Sequence, residues 1–185
     1  HEIGSYYKIS KLLQLNPLYN NKEFIIKNQK NIYDLGSQNE KPCCGGTTTL
    51  VYNPKSKKIE KEFLSLAGTL VNCSGGPTPW GTWISCEETV SRKGENGLQK
   101  NHGYNFEVIP SEHIQLNHAV PLKAMGRFRH EAVAIDPNTN IAYQTEDRDD
   151  GLIYKFIPGN SVKYGLTGKL QALSIKDLYP NDTRN

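Results

Sequence analysis

The sequence predicts an all-β fold assembled from repeated antiparallel modules, part of a β-propeller. Three observations lead there. Short β-prone runs recur from residue 45 onward, polar turns separate them, and a strand–(Asn/Asp)-Pro–strand unit appears twice. Propeller blades take about 40–50 residues each, so a chain of 185 residues holds roughly four at most, and three partial blades fit the pattern better. A β-sandwich is the alternative, and periodicity does not separate the two.

The elements follow in order. Residues 1–44 form an irregular, Asn- and Lys-rich N-terminal segment, in which Tyr6, Ile9, Leu12 and Leu13 have the spacing of one amphipathic helix. Residues 45–185 are assigned to the blades. A run at 47–52 leads into the turn Asn53-Pro54-Lys55-Ser56-Lys57 and a second run at 59–66. The same unit returns as a run at 130–135, the turn Asp136-Pro137-Asn138-Thr139-Asn140, and a run at 141–145. A further run at 152–157 stops at Pro158-Gly159, and shorter candidates lie at 82–86 and 104–109.

Composition narrows the function classes. Hydrophobic residues make up 36% of the chain and mean hydropathy is −0.61, polar for a packed domain but not the signature of disorder. Ten Tyr and two Trp, spread along the chain, argue for a core. A net charge of +3 is too small and too scattered for a nucleic-acid footprint. No apolar run approaches the roughly 18 residues of a membrane span; the richest stretch, 63–71, is broken by Ser65, Gly68 and Thr69. The chain opens at His1 with no charged or apolar leader, so processing or a partial sequence is expected. Its four cysteines, 43, 44, 73 and 86, lack the paired spacing of a structural zinc site, and the adjacent Cys43 and Cys44 are poorly placed to bridge to each other.

Three polar clusters could carry chemistry. The first runs from Asn72-Cys73-Ser74-Gly75-Gly76-Pro77-Thr78-Pro79-Trp80-Gly81-Thr82-Trp83 to Cys86-Glu87-Glu88. Its Gly and Pro density reads as a tight loop whose backbone approaches a ligand, with two Trp to wall off water. A thiol beside carboxylates is a mixed ligand set, suited to iron or zinc next to calcium. The plainer reading is a structural loop with a buried Cys and a solvated Glu pair. The second cluster is Arg127-Phe128-Arg129-His130-Glu131, leading into an apolar strand. Alternation puts Glu131 on the face of Val133 and Ile135, where a carboxylate needs a cation or a paired charge; an Arg–Glu ion pair at a sheet end is the alternative. The third, Thr145-Glu146-Asp147-Arg148-Asp149-Asp150-Gly151, has the acid density that calcium takes, or that a solvated turn carries, without the EF-hand pattern. Walker, Rossmann, GxSxG and HExxH motifs are absent, and His102, His113 and His118 read as exposed.

The wording of these clusters resembles the PhoX-type alkaline phosphatases. It is carried by Gly45-Gly46-Thr47-Thr48-Thr49, Ser65-Leu66-Ala67-Gly68-Thr69, the long motif from Asn72 to Trp83, and Cys86-Glu87-Glu88. His102-Gly103-Tyr104, Met125 to Ala132 and Tyr143 to Asp147 continue it in the same order, so that it covers residues 45–158. The resemblance implies a propeller, exported to the periplasm or beyond the cell, that hydrolyses phosphate esters with iron and calcium. It implies Cys86 as thiolate ligand to iron, Glu87 and Glu131 as carboxylate ligands, and an acid from Glu146 or Asp147 completing the set. Asn72, Arg127 and Arg129 become candidates for contacting phosphate oxygens. Family enzymes are several times longer, and His1-Glu2 looks like the tail of an upstream Asn-His-Glu motif, so a partial sequence is expected.

The function expected on this basis is metal-dependent hydrolysis of phosphate monoesters, with diesters a further class, by a monomer. Metal ions neutralise the charge that repels a nucleophile from the ester, and guanidinium forks match the phosphate oxygens. A non-catalytic propeller binding module with a calcium site is the alternative from a different class. A calcium-dependent lactone hydrolase is the third.

Overall fold

The computed structural model describes residues 21–37, 43–160 and 163–176. Among these the chain is mostly strand, as predicted: α1 (Lys22–Asn28) precedes β1 (Gly45–Asn53), β2 (Lys58–Thr69), β3 (Asn72–Pro77), β4 (Trp83–Glu87), β5 (Asn105–Val108), β6 (His130–Ile135), β7 (Ala142–Glu146), β8 (Ile153–Pro158) and β9 (Gly168–Ala172). The helix predicted around Tyr6 and Leu13 lies outside the described residues. The seven-residue α1 was not foreseen, and local chemistry explains it. The Asn21 side chain accepts from the Phe24 amide at 2.9 Å, Glu23 sits in the first turn and Lys27 in the last, and Ile25 is the residue it buries.

The chain divides into two compact units. In the first, β1 and β2 form an antiparallel ribbon running from Gly45 opposite Thr69 to Asn53 opposite Lys58. Asn53 closes its turn by accepting from the amides of Lys55 and Ser56 at 2.9 and 3.1 Å, the Asx-turn chemistry that the Asn-Pro signal announces. Ile25, Ile32 and Ala67 make a small core with Phe24, Leu35, Leu64 and Leu116. The fully buried Asp34 carboxylate accepts from the amides of Gly36, Gln99 and Lys100, which ties residues 91–101 into this unit.

The second unit is a seven-stranded sheet in the order β5-β4-β3-β6-β7-β8-β9. Sequential strands pair antiparallel throughout, so β3-β4-β5 is one meander and β6-β7-β8-β9 is another. The two meet through their first strands, which run parallel with Gly75 opposite Ala132. A three-stranded and a four-stranded meander joined in one sheet are consistent with a propeller-like all-β fold. Ile84, Cys86, Leu122, Met125, Val133, Ala142 and Phe156 form the core between these strands.

The glycine-rich stretch is not the ligand-facing loop that its composition suggested. It is β3, a turn at 78–82, and β4. A Cβ on Gly75, whose φ is +70°, would lie 2.0 Å from the Ile84 carbonyl oxygen, and one on Gly76 would lie 2.0 Å from that of Val133. The glycines let β3 fit between two neighbouring strands, so the close backbone approach is to protein. The tryptophans do not wall off water either. Trp80 and Trp83 are 41% and 42% exposed, and the Trp80 indole donates to Glu107 at 2.7 Å near the turn.

Candidate functional site

Four chain segments converge at one end of the second unit. The parallel strands β3 and β6 begin there with Asn72-Cys73 and His130-Glu131, and their antiparallel partners β4 and β7 end there with Glu87 and Glu146. Two backbone hydrogen bonds fix the residues just beyond these ends. The Glu88 amide donates to the Val71 carbonyl at 2.8 Å, and the Asp147 amide donates to that of Arg129 at 3.1 Å. Each meander thereby carries a carboxylate to the seam, where the Asp147 carboxyl raises that of Glu88.

The Glu88 carboxyl is raised above its ordinary range, first by the Asp147 carboxyl and then by burial, with the charges of Asp147 and Glu131 adding to this; the Cys73 thiol works in the opposite direction. Cys73 stands opposite Cys86 in the β3–β4 register. Its thiol is raised by burial, and by Glu88 and Glu131, against a Ser74 amide that lowers it. The fully buried Cys86 thiol is pushed up to about 12, chiefly by burial, then by Cys73 and Glu131, against a hydrogen bond from the Gly75 amide. Groups of negative or potentially negative charge that hold protons in each other's presence are the donors from which a cation displaces protons on binding.

The predicted site residues divide between this cluster and other partners. Cys86 is influenced by Cys73 and Glu131, and Glu88 by Asp147, Cys73 and Glu131, so Cys86, Glu131 and Asp147 belong to one electrostatic neighbourhood with Cys73 and Glu88, which the sequence did not single out. Period-two alternation was the available signal: in a strand, Cys86 and Glu88 share a face and Glu87 takes the other. Glu131 comes to the cluster by a different route from simple alternation. A register irregularity between His130 and Val133 buries both of those residues and leaves Glu131 half-buried, 3.4 Å from the Thr145 hydroxyl.

Glu87 is fully buried and faces the 102–104 segment. Its carboxylate lies 2.6 Å from the His102 ring nitrogen Nδ1 and accepts from the amides of Gly103 and Tyr104 at 2.8 and 3.1 Å. His102 is therefore buried, not exposed as expected, because it answers a buried carboxylate that no local pattern reveals. Glu146 accepts from the Leu152 amide at 3.3 Å and the Tyr154 hydroxyl at 3.0 Å, bracing the β7–β8 connection. Asn72 donates to the Ser85 hydroxyl at 2.7 Å, the Arg127 guanidinium to the Val90 carbonyl at 2.5 Å, and Arg129 is exposed beside the cluster.

One prediction arises from Glu87. Its replacement by Ala removes the acceptor of two amides and a histidine inside the fold, and is expected to cost about 3–5 kcal/mol of stability. Urea unfolding reads this directly. Glu87→Gln, which keeps one acceptor oxygen, is expected to lose clearly less. Equal midpoints for Glu87→Ala and the unaltered protein would remove the bracing role.

Comparison with known proteins agrees with the wording of the motifs. The model of the family described as alkaline phosphatase PhoX matches residues 24–177. A solved structure, Pseudomonas fluorescens PhoX in complex with vanadate, a transition state analogue, is 22% identical over 69% of this chain, with a TM-score of 0.43. The match covers 31% of that chain, so the present sequence spans about a third of its length. No curated protein matches. With the family model covering most of the 185 residues, the chain belongs to the PhoX alkaline phosphatase family.

Proposed function

We propose that the chain contributes part of the metal centre of a phosphatase that hydrolyses phosphate monoesters, with diesters a further class, at an iron–calcium site. The observation that carries this reading is the placement of Glu88 and Asp147 just beyond the ends of β4 and β7, where Asp147 raises the Glu88 carboxyl and Glu131 acts on Glu88 and on both thiols. The donor chemistry fits the ions. Cys86 offers a soft ligand suited to iron, and Glu88, Glu131 and Asp147 offer the hard oxygens that calcium takes. Glu87 and Glu146 belong to the proposed set as well, and their hydrogen bonds to His102, Gly103, Tyr104, Leu152 and Tyr154 would hold their carboxylates in fixed orientation.

When bound, the ions would supply charge neutralisation for the ester and an activated oxygen nucleophile. The chain's own part is positional. Cys86 is set in the core, while backbone hydrogen bonds fix Glu88 and Asp147 at the ends of the two meanders. Arg129, which is exposed, is assigned to phosphate oxygens together with Arg127 and Asn72. Family membership supports export to the periplasm or beyond the cell. Among the described residues, no helix is long and apolar enough to cross a membrane.

The test is elemental analysis of the purified chain after exhaustive dialysis. Iron and calcium are expected to be retained, with iron near one equivalent or above. The double variant Glu88→Gln, Asp147→Asn is expected to lose at least about tenfold in metal affinity. Calcium without iron, and no ester hydrolysis, would replace this reading with a calcium-holding binding module.

A further inference from the structure

The mechanism above uses Cys86 and leaves Cys73 idle, yet the fold sets these two thiols against each other. They are register partners on the antiparallel strands β3 and β4. Residues in that relation point to the same face of the sheet, with Cα atoms about 4.5–5.5 Å apart. A disulfide accepts Cα separations of about 4.4–6.8 Å, which covers that range; a register irregularity of β3 begins just after Cys73. Access differs between them: Cys86 is fully buried and Cys73 half-buried, so a reagent from solvent meets Cys73 first.

We infer that Cys73 and Cys86 form a redox pair whose disulfide withdraws Cys86 from the metal centre, and whose formation bound iron prevents. The second half of this inference rests on the proposed role of Cys86. A low-molecular-weight disulfide, such as oxidised glutathione, is the oxidant. The Cys73 sulfur attacks one of its sulfurs, forming a mixed disulfide and releasing one glutathione thiol. The Cys86 sulfur then attacks the Cys73 sulfur, the protein disulfide forms, and a second glutathione thiol leaves. The two cysteine protons end on the two released thiols; the protein pair is oxidised by two electrons and glutathione disulfide is reduced by two. A sulfur bound in a disulfide has no thiolate to offer a metal, so oxidation and iron loading exclude each other. An exported protein meets an oxidising compartment, in which such a pair is able to close.

The experiment uses the whole purified chain, reduced, stripped with a chelator, and exposed to oxidised glutathione with or without prior iron loading. Remaining thiols are alkylated, and the digest is mapped by mass spectrometry. The expected product is a peptide pair joining Cys73 to Cys86, reversed by dithiothreitol and formed at least about tenfold more slowly after iron loading. Cys73→Ser is expected to abolish the cross-link and leave Cys86 alkylated only after unfolding. A stable glutathione adduct on Cys73, or a cross-link from Cys73 to Cys43 or Cys44, would overturn the pair whatever iron does. A Cys73–Cys86 cross-link that forms equally fast with iron bound would keep the disulfide, but it would refute both its control of the centre and the role of Cys86 as ligand. Because Cys86→Ser also blocks the link, agreement between the two serine variants guards against a folding artefact in either.

Discussion

Replacing Cys86 by serine is expected to strip iron from the purified chain while leaving the fold in place. The thiol sits in the core formed with Ile84, Leu122, Met125, Val133, Ala142 and Phe156, so its position is set by packing. Serine preserves the volume closely but exchanges a polarisable sulfur for a hydroxyl that gives up its proton far less readily. Burial already pushes the Cys86 thiol up to about 12, so only a tightly bound cation would keep it deprotonated at neutral pH. Removing it should lower iron affinity by about 100-fold or more, measured as iron per chain after dialysis. Calcium, which prefers the carboxylates, should fall less. Cys86→Ala should show the same loss together with about 1 kcal/mol of destabilisation from the vacated volume. Iron content unchanged in both variants, with the unfolding midpoint preserved, would sink the proposed role of this residue.

Gly76→Ala is expected to be among the most damaging single substitutions in the second unit. The new methyl would lie 2.0 Å from the Val133 carbonyl oxygen and 3.1 Å from its carbon, both backbone atoms without a rotamer to change. Relief requires β3 and β6 to separate, and these strands join the two meanders. Gly75 blocks a shift of β3 the other way, since its own hydrogen already faces the Ile84 carbonyl. A loss of at least about 3 kcal/mol is expected, seen as a lowered urea midpoint or as failure to recover folded protein. Metal retention should fall with it, because Cys73, Cys86 and Glu88 come from one side of the seam and Glu131 and Asp147 from the other. Gly81→Ala is the control. Gly81 has a positive φ but no neighbour within 4 Å of a Cβ, so its substitution should cost only about 1–2 kcal/mol. Equal effects at Gly76 and Gly81 would mean that the seam is not close-packed.

Much of the sheet was legible because each strand carries its own signal. The run predicted at 130–135 coincides with β6, and the turns at 53–57 and 136–140 fall where Asn-Pro and Asp-Pro place them. Two strands escaped. β3 is written in residues of low strand propensity, Asn-Cys-Ser-Gly-Gly-Pro, and exists because β4 and β6 pair with it on either side. β9 is mostly exposed, without an apolar face to mark it, and is defined by its pairing with β8.

The sequence by itself determined the fold class, the family through its motif wording, and the presence of a thiol and an excess of acids near strand ends. It could not say which acids meet. Glu87 and Glu88 are neighbours with equal intrinsic chemistry, as are Glu146 and Asp147. Only the tertiary structure decided that Asp147 acts on Glu88 while Glu87 meets His102 and Glu146 meets Tyr154. The physical reason is that strand identity is local, fixed by propensity and turn chemistry over a few residues. A cluster of like charges depends on register and bulges between segments some 60 residues apart in the chain, and a one-residue slip there turns every side chain to the opposite face.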